Sequence, residues 1–136
     1  MSFVDDIKHQ FSASNSLIKL LYINAGVFLI SILAILIFFF LGINESEVSL
    51  TIREYLGLPA SLSKLMVRPW SILTYMFVHT GFLHFLFNMV MLYFTGIIFN
   101  QYLGENKIIS LYLLSGISGA LLYIVIYNIA PIFSAQ

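Results

Sequence analysis

The sequence predicts an all-α protein, a bundle of helices that crosses a lipid bilayer three times. Of its 136 residues, 60% are hydrophobic and only 9% are charged, which is more apolar surface than a soluble domain of this length can bury. Three long apolar stretches lie between more polar segments, and each is close to the roughly 20 residues that a helix needs to cross the hydrocarbon core. We therefore expect an integral, multi-pass protein of the cytoplasmic (plasma) membrane.

The first span follows a polar N-terminal tail. We assign the tail to residues 1–19 and the span to about 20–43, which contains no charged residue. The tail ends in a Ser/Asn cluster that can cap the following helix. Because no small-residue cleavage site ends the span, we interpret it as a retained helix and not as a signal peptide.

A long loop separates the first span from the other two. Residues 44–80 are too polar and too often broken by proline to cross a membrane, yet they are rich in leucine and aromatic residues, so we expect them to lie in the membrane interface. The second span is predicted at about 82–99 and the third at about 108–129. Residues 20–130 then form one membrane domain, which we expect to be truncated where the chain stops at residue 136.

Charge and cysteine content exclude several classes of function. The net charge is zero and no Lys/Arg cluster is present, so we expect no nucleic-acid partner. The absence of cysteine excludes disulfides, thiolate metal sites and a cysteine nucleophile. Lysine and arginine give no orientation by the positive-inside rule, because the long loop has three and the tail plus the second connection also have three: Arg53, Lys64 and Arg68 against Lys8, Lys19 and Lys107.

Two polar side chains stand out in the second span. His84 and Asn88 are four residues apart and so project from the same face of a helix. In hydrocarbon both need polar partners or a wet cavity. They therefore mark either a hydrogen-bonding pair between helices, which is the commoner case for such a pair alone, or a functional site.

The residues around this pair resemble the rhomboid intramembrane serine proteases. That family's pattern is a Pro-Trp-Arg-like entry, a Phe-x-His, a Gly, and then His-x-x-x-Asn at the start of the second helix. The likeness extends over roughly residues 20–130, and its several matches in the right order outweigh the packing interpretation. The matching residues are Arg68-Pro-Trp, Phe77-Val-His79, Gly81, His84 with Asn88, Gly96, Gly104 and the run Leu111-Tyr-Leu-Leu-Ser-Gly116.

The resemblance implies an activity and a set of site residues. It implies a six-helix fold, of which these spans are the N-terminal three, and a serine endopeptidase that cleaves transmembrane protein substrates in the lipid bilayer without a metal or organic cofactor. By the same resemblance, His84 and Asn88 are oxyanion-hole donors and His79 supports them. One such donor can contribute about 10²–10³ in rate.

The family's Ser–His dyad is missing from this sequence. The resemblance places the nucleophile in a Gly-x-Ser-Gly motif on the fourth helix and the base His on the sixth, whereas the last histidine here is His84. The run Gly116-Ile-Ser118-Gly119 matches this motif, but it lies inside the third span and no histidine follows it. We therefore interpret its glycines and serine as small residues that permit close packing, and Ser118 as a decoy that is not the nucleophile. We expect the chain to be inactive alone and to need a missing C-terminal half to complete the bundle.

Two other functions remain open. One is a rhomboid-like protein that binds membrane helices without cutting them. The other is a membrane haem or metal protein that uses His79 and His84 as ligands. Two histidines without a carboxylate or thiolate nearby make a weak metal site, so we expect neither a metal nor a cofactor.

Overall fold

The computed structural model describes Asp5 and residues 15–130, so most of the predicted tail and the last six residues lie outside the described part. Between residues 15 and 130 all regular structure is helical, which confirms the predicted all-α fold. This part of the chain forms α1 Ser16–Phe40, α2 Glu45–Leu56, α3 Leu62–Val67, α4 Ser71–Thr74, a 3₁₀ turn Tyr75–Phe77, α5 Phe82–Leu103, a 3₁₀ turn Glu105–Lys107 and α6 Ile108–Ile129.

Three of these helices are long and apolar enough to cross a membrane. They are α1, α5 and the continuous segment Glu105–Ile129 that contains α6. The predicted number of three spans is thereby confirmed, and the chain is an integral membrane protein. Large apolar side chains on the outer faces of these helices are exposed, as expected where lipid is the solvent.

The amino end of α1 is closed by two acceptors. The Oδ1 atom of Asn15 accepts the backbone N–H of Ile18 at 3.0 Å, so the predicted Ser/Asn cap is confirmed and α1 begins at Ser16, inside the predicted tail. The carboxylate of Glu105 accepts the N–H of Ser16 at 3.0 Å. A negative charge there also complements the helix dipole. This bond places the start of α1 and the connection between α5 and α6 at the same end of the bundle.

Helix α1 is the centre of the bundle and packs against α2, α5 and α6. Leu17, Leu20 and Ile108 form a buried cluster near its amino end. The backbone of Gly96 on α5 lies so close to Leu17 that a Cβ atom at position 96 would collide with the leucine side chain. The glycine is therefore what allows α1 and α5 to approach each other here.

The long loop is built from the three short helices α2, α3 and α4. It lies at the carboxyl ends of α1 and α6, where the Asn128 side chain donates to the carbonyl oxygen of Ala60 at 3.0 Å. Asn44 is the N-cap of α2, because its side chain accepts the backbone N–H of Ser46 at 3.0 Å.

The carboxyl end of α2 is closed by side chains from further along the loop. The last carbonyl groups of a helix have no partner within it and need outside donors. Residues 68–74 supply three: Arg68 donates to the carbonyl of Glu54, Trp70 to that of Tyr55 at 3.0 Å, and Thr74 to that of Leu56 at 2.7 Å. Arg68 and Trp70 of the Arg-Pro-Trp motif therefore close the end of α2, a role that could not be predicted from the sequence.

Candidate functional site

A cavity lined by polar groups opens between α1, the end of the loop, α5 and α6. We call it the polar cavity, and its volume is about 250 Å³. Polar groups inside apolar spans need either partners or water. Its lining residues are Asn24, Tyr75, Met76, His79, Asn88, Met89, Leu92, Tyr112, Ser115 and Gly116.

Asn24 on α1 is the most deeply buried of these polar residues, with no exposed surface. Its Nδ2 atom donates to the Leu20 carbonyl at 2.9 Å and to the hydroxyl of Tyr112 at 3.3 Å. That hydroxyl donates in turn to the carbonyl of Met76 at 3.3 Å. The network joins α1, α6 and the loop. Sequence reasoning missed Asn24 because it searched the first span for charges, although an amide inside a span is the same signal that singled out Asn88.

His84 lies in the first turn of α5, and its ring is held by Thr80, two residues before the helix begins. The backbone N–H of Thr80 donates to its Nδ1 atom at 3.3 Å, and the Thr80 hydroxyl lies 3.1 Å from the same atom. A backbone N–H can only donate, so Nδ1 acts as the acceptor and the proton of the neutral ring is on Nε2. His84 therefore has an Nε2–H available as a donor.

The two predicted oxyanion donors occupy adjoining cavities. Asn88 lines the polar cavity, whereas His84 lines a neighbouring cavity of about 430 Å³ with Thr80 and Gly119, and Tyr75 borders both. Both donors are exposed in the isolated chain. They thus share one side of α5 without sharing a single pocket among the described residues.

Tyr75 is held in place between the two cavities. Its hydroxyl donates to the carbonyl oxygen of Gly116 at 2.6 Å, and burial raises the pKa of this phenol. It therefore stays protonated as a hydrogen-bond donor at neutral pH.

His79 lies where the loop meets α5 and lines the polar cavity. Its ring centroid is 5.6 Å from that of His84, 5.3 Å from that of Phe85 and 6.0 Å from that of Phe28. Its Nδ1 atom is buried and makes no hydrogen bond of normal geometry with the described residues. Burial lowers the pKa of His79, the backbone of Phe77 opposes this, and His84 adds to the lowering. The ring is thus neutral at pH 7.

The Gly-x-Ser-Gly run on α6 packs against the loop. The side chain of Met76 fills the space beside Gly116, and the Tyr75 hydroxyl lies 3.3 Å from where a Cβ atom of residue 119 would be. Ser118 itself is exposed. The two glycines do permit a close approach, and the segment that approaches them is the loop.

Residues 15–130 and Asp5 contain no group of three or more His, Cys, Asp or Glu side chains that could hold a metal ion. For the alternative haem or metal function, His79 and His84 therefore provide only a pair of imidazoles.

The fold and these cavities define a class: a polytopic membrane protein with polar groups gathered within its spans. The sequence model of the Rhomboid domain family matches residues 67–133, which include His79, His84 and Asn88. The chain is also 40% identical over 53 residues to "RHOMBOID-like protein 2" of Arabidopsis thaliana, and the match covers 39% of this chain and 17% of that relative. No solved structure matches the chain significantly. These two matches support the rhomboid family assignment that the motifs predicted.

Proposed function

We propose that this chain provides the oxyanion-binding side of a rhomboid-type intramembrane serine endopeptidase. In this proposal the Nε2–H of His84 and the side-chain amide of Asn88 are the donors. The nucleophilic serine and its base histidine come from outside these 136 residues. The bond from the Thr80 N–H to His84 Nδ1 is the observation that carries the proposal, because it leaves the proton on the nitrogen that can donate.

The chemistry needs donors that are fixed before the reaction begins. Attack of a serine on a peptide carbonyl places a negative charge on the carbonyl oxygen, and donors aimed at that oxygen stabilise the transition state. His84 is fixed by Thr80, and Asn88 follows one helical turn later on the same face. His79 acts as a positioning residue, since its neutral ring packs against His84 and Phe85.

The substrate class in this proposal is transmembrane protein segments, which reach the site from the surrounding lipid, and the reaction needs no metal or organic cofactor. The assignment to the rhomboid family and the apolar spans support this substrate class. We place the protein in the plasma membrane, and fractionation of membranes from the source cells tests that part of the proposal.

The decisive experiment uses the complete reading frame that contains these residues. We expect His84→Ala and Asn88→Ala each to lower kcat for a transmembrane substrate by about 10²–10³, with little change in KM. Asn100→Ala, a matched amide loss at the far end of α5, should leave the rate unchanged. Full activity of both site variants would overturn the proposal. A complete frame without a downstream serine and histidine would instead favour the helix-binding alternative.

Two further measurements apply to the 136-residue chain itself. Nitrogen-15 NMR of His84 in micelles should show the proton of the neutral ring on Nε2, and a proton on Nδ1 would remove the donor that the mechanism needs. A serine-directed fluorophosphonate should not label the chain. Labelling at Ser118 would show that this serine is activated within the chain and would contradict the assignment of the nucleophile elsewhere.

A further inference from the structure

A third cavity, which borders the His84 cavity at Arg53, Gly57 and Leu58, is rich in positive charge. It lies between the loop and the last turns of α6 and has a volume of about 330 Å³. We call it the basic cavity and define it by its charged lining residues Arg53, Glu54, Lys64 and Arg68, with Tyr127 from α6 on its far wall.

The charges of the basic cavity are not balanced within the described part of the chain. Arg68 forms an ion pair with the Glu54 carboxylate at 3.1 Å, which neutralises both groups. Arg53 on α2 and Lys64 on α3 face the same cavity and form no ion pair with residues 15–130. Two like charges that line one cavity repel each other, and an anion bound between them offsets that repulsion.

The position of the basic cavity identifies the available anion. Its far wall is Tyr127 in the last turn of the third span, and Asn128 ties the neighbouring loop backbone to that helix end. Trp70 and Tyr55, 48% and 57% exposed, lie on the same loop. Exposed Trp and Tyr at the end of a span mark the depth of the lipid headgroups, and the phosphates of the lipids lie at that depth.

We propose that the basic cavity binds the phosphate of an anionic phospholipid headgroup between Arg53 and Lys64. The Arg68–Glu54 pair closes one side and holds α2 against the end of the loop, which keeps Arg53 and Lys64 on the wall of the same cavity. The bound lipid would fix the loop at the membrane surface, at the carboxyl ends of α1 and α6. This inference does not depend on the proposed protease function.

The single tryptophan of the chain provides the probe, because Trp70 lies on the loop beside Arg68. The full chain is reconstituted in phosphatidylcholine vesicles that contain brominated phosphatidylglycerol, and quenching of Trp70 reports how strongly the anionic lipid is preferred. We expect Arg53→Gln and Lys64→Gln each to lower that preference about fivefold, and the double variant about 25-fold, since each cation near a lipid surface contributes about 1 kcal/mol. Both side chains are exposed, and unchanged circular dichroism verifies folding.

Lys107→Gln is the matched control, because it removes one positive charge at the opposite end of the bundle. It should keep the wild-type preference. Equal preference in the wild type, the double variant and the control would overturn the proposal. A competition with inorganic phosphate distinguishes a lipid from a soluble ligand. If phosphate abolishes the preference for the anionic lipid and chloride of equal ionic strength does not, the cavity binds a soluble phosphate and the lipid assignment is wrong.

Discussion

The indole N–H of Trp70 donates to the backbone carbonyl of Tyr55 at 3.0 Å. This bond stands between two others that close the end of α2, one from Arg68 and one from Thr74. The three donors fold residues 68–74 back onto α2, and that segment leads directly to His79 and the start of α5. The closure of α2 therefore fixes the position of the segment that leads into the candidate site.

Thr74→Val tests this closure with almost no change of shape. The loss of the hydroxyl leaves the Leu56 carbonyl, which it bound at 2.7 Å, without that donor, so we expect the free energy of unfolding to fall by about 1–3 kcal/mol. Thr51→Val is the control, because the Thr51 hydroxyl binds Glu47 inside α2 at 2.8 Å, where the backbone already provides a partner. Unfolding by SDS titration in mixed micelles measures both, and equal losses would contradict the closure.

The Asn24–Tyr112 pair is tested by a double-mutant cycle. We expect Asn24→Leu and Tyr112→Phe to show a coupling of about 0.6 kcal/mol, and no more than about 1.7 kcal/mol, the range measured for hydrogen bonds between membrane helices. Their 3.3 Å bond is the physical source of the coupling. Unfolding of the two single variants and the double variant provides the measurement, and strictly additive losses would show that the bond contributes nothing.

Gly96→Ala should destabilise the bundle by about 1–3 kcal/mol, because the new methyl group overpacks the site occupied by Leu17. Gly26→Ala is the matched control on α1, since nothing lies within 4 Å of its Cβ position. There the better helix propensity of alanine should add about 0.5–1 kcal/mol of stability. Leu17→Ala in the Gly96→Ala background should cost less than in the wild type, and an undiminished cost would refute the contact.

The pH dependence of stability should carry a contribution from His79. Its pKa is lowered from 6.5 in the folded chain, mainly by burial, so below pH 6.5 the unfolded chain binds this proton first. The free energy of unfolding should then fall as the pH drops from 6.5 towards the lower pKa of the folded chain, and this contribution should be constant above 6.5. His79→Phe removes the titration, so its curve should be flatter in that window. Parallel curves would show that the ring is not desolvated.

The parts of the molecule that could be predicted from the sequence are those that depend on local composition. The three spans follow from hydropathy, and Asn15 could be identified as a cap because its neighbours in the chain define the helix that it closes. The closure of α2 could not be predicted, since its acceptors are backbone carbonyls, which look the same at every residue. The spacing of His84 and Asn88 predicts a shared face of α5, but their separate cavities depend on where the loop places Tyr75.

The bond between Glu105 and the N–H of Ser16 joins residues 89 positions apart. Because the ribosome makes Glu105 only after α1 and α5, the first turn of α1 can acquire this second acceptor only late in synthesis. Until then its amino end has the local cap from Asn15 alone.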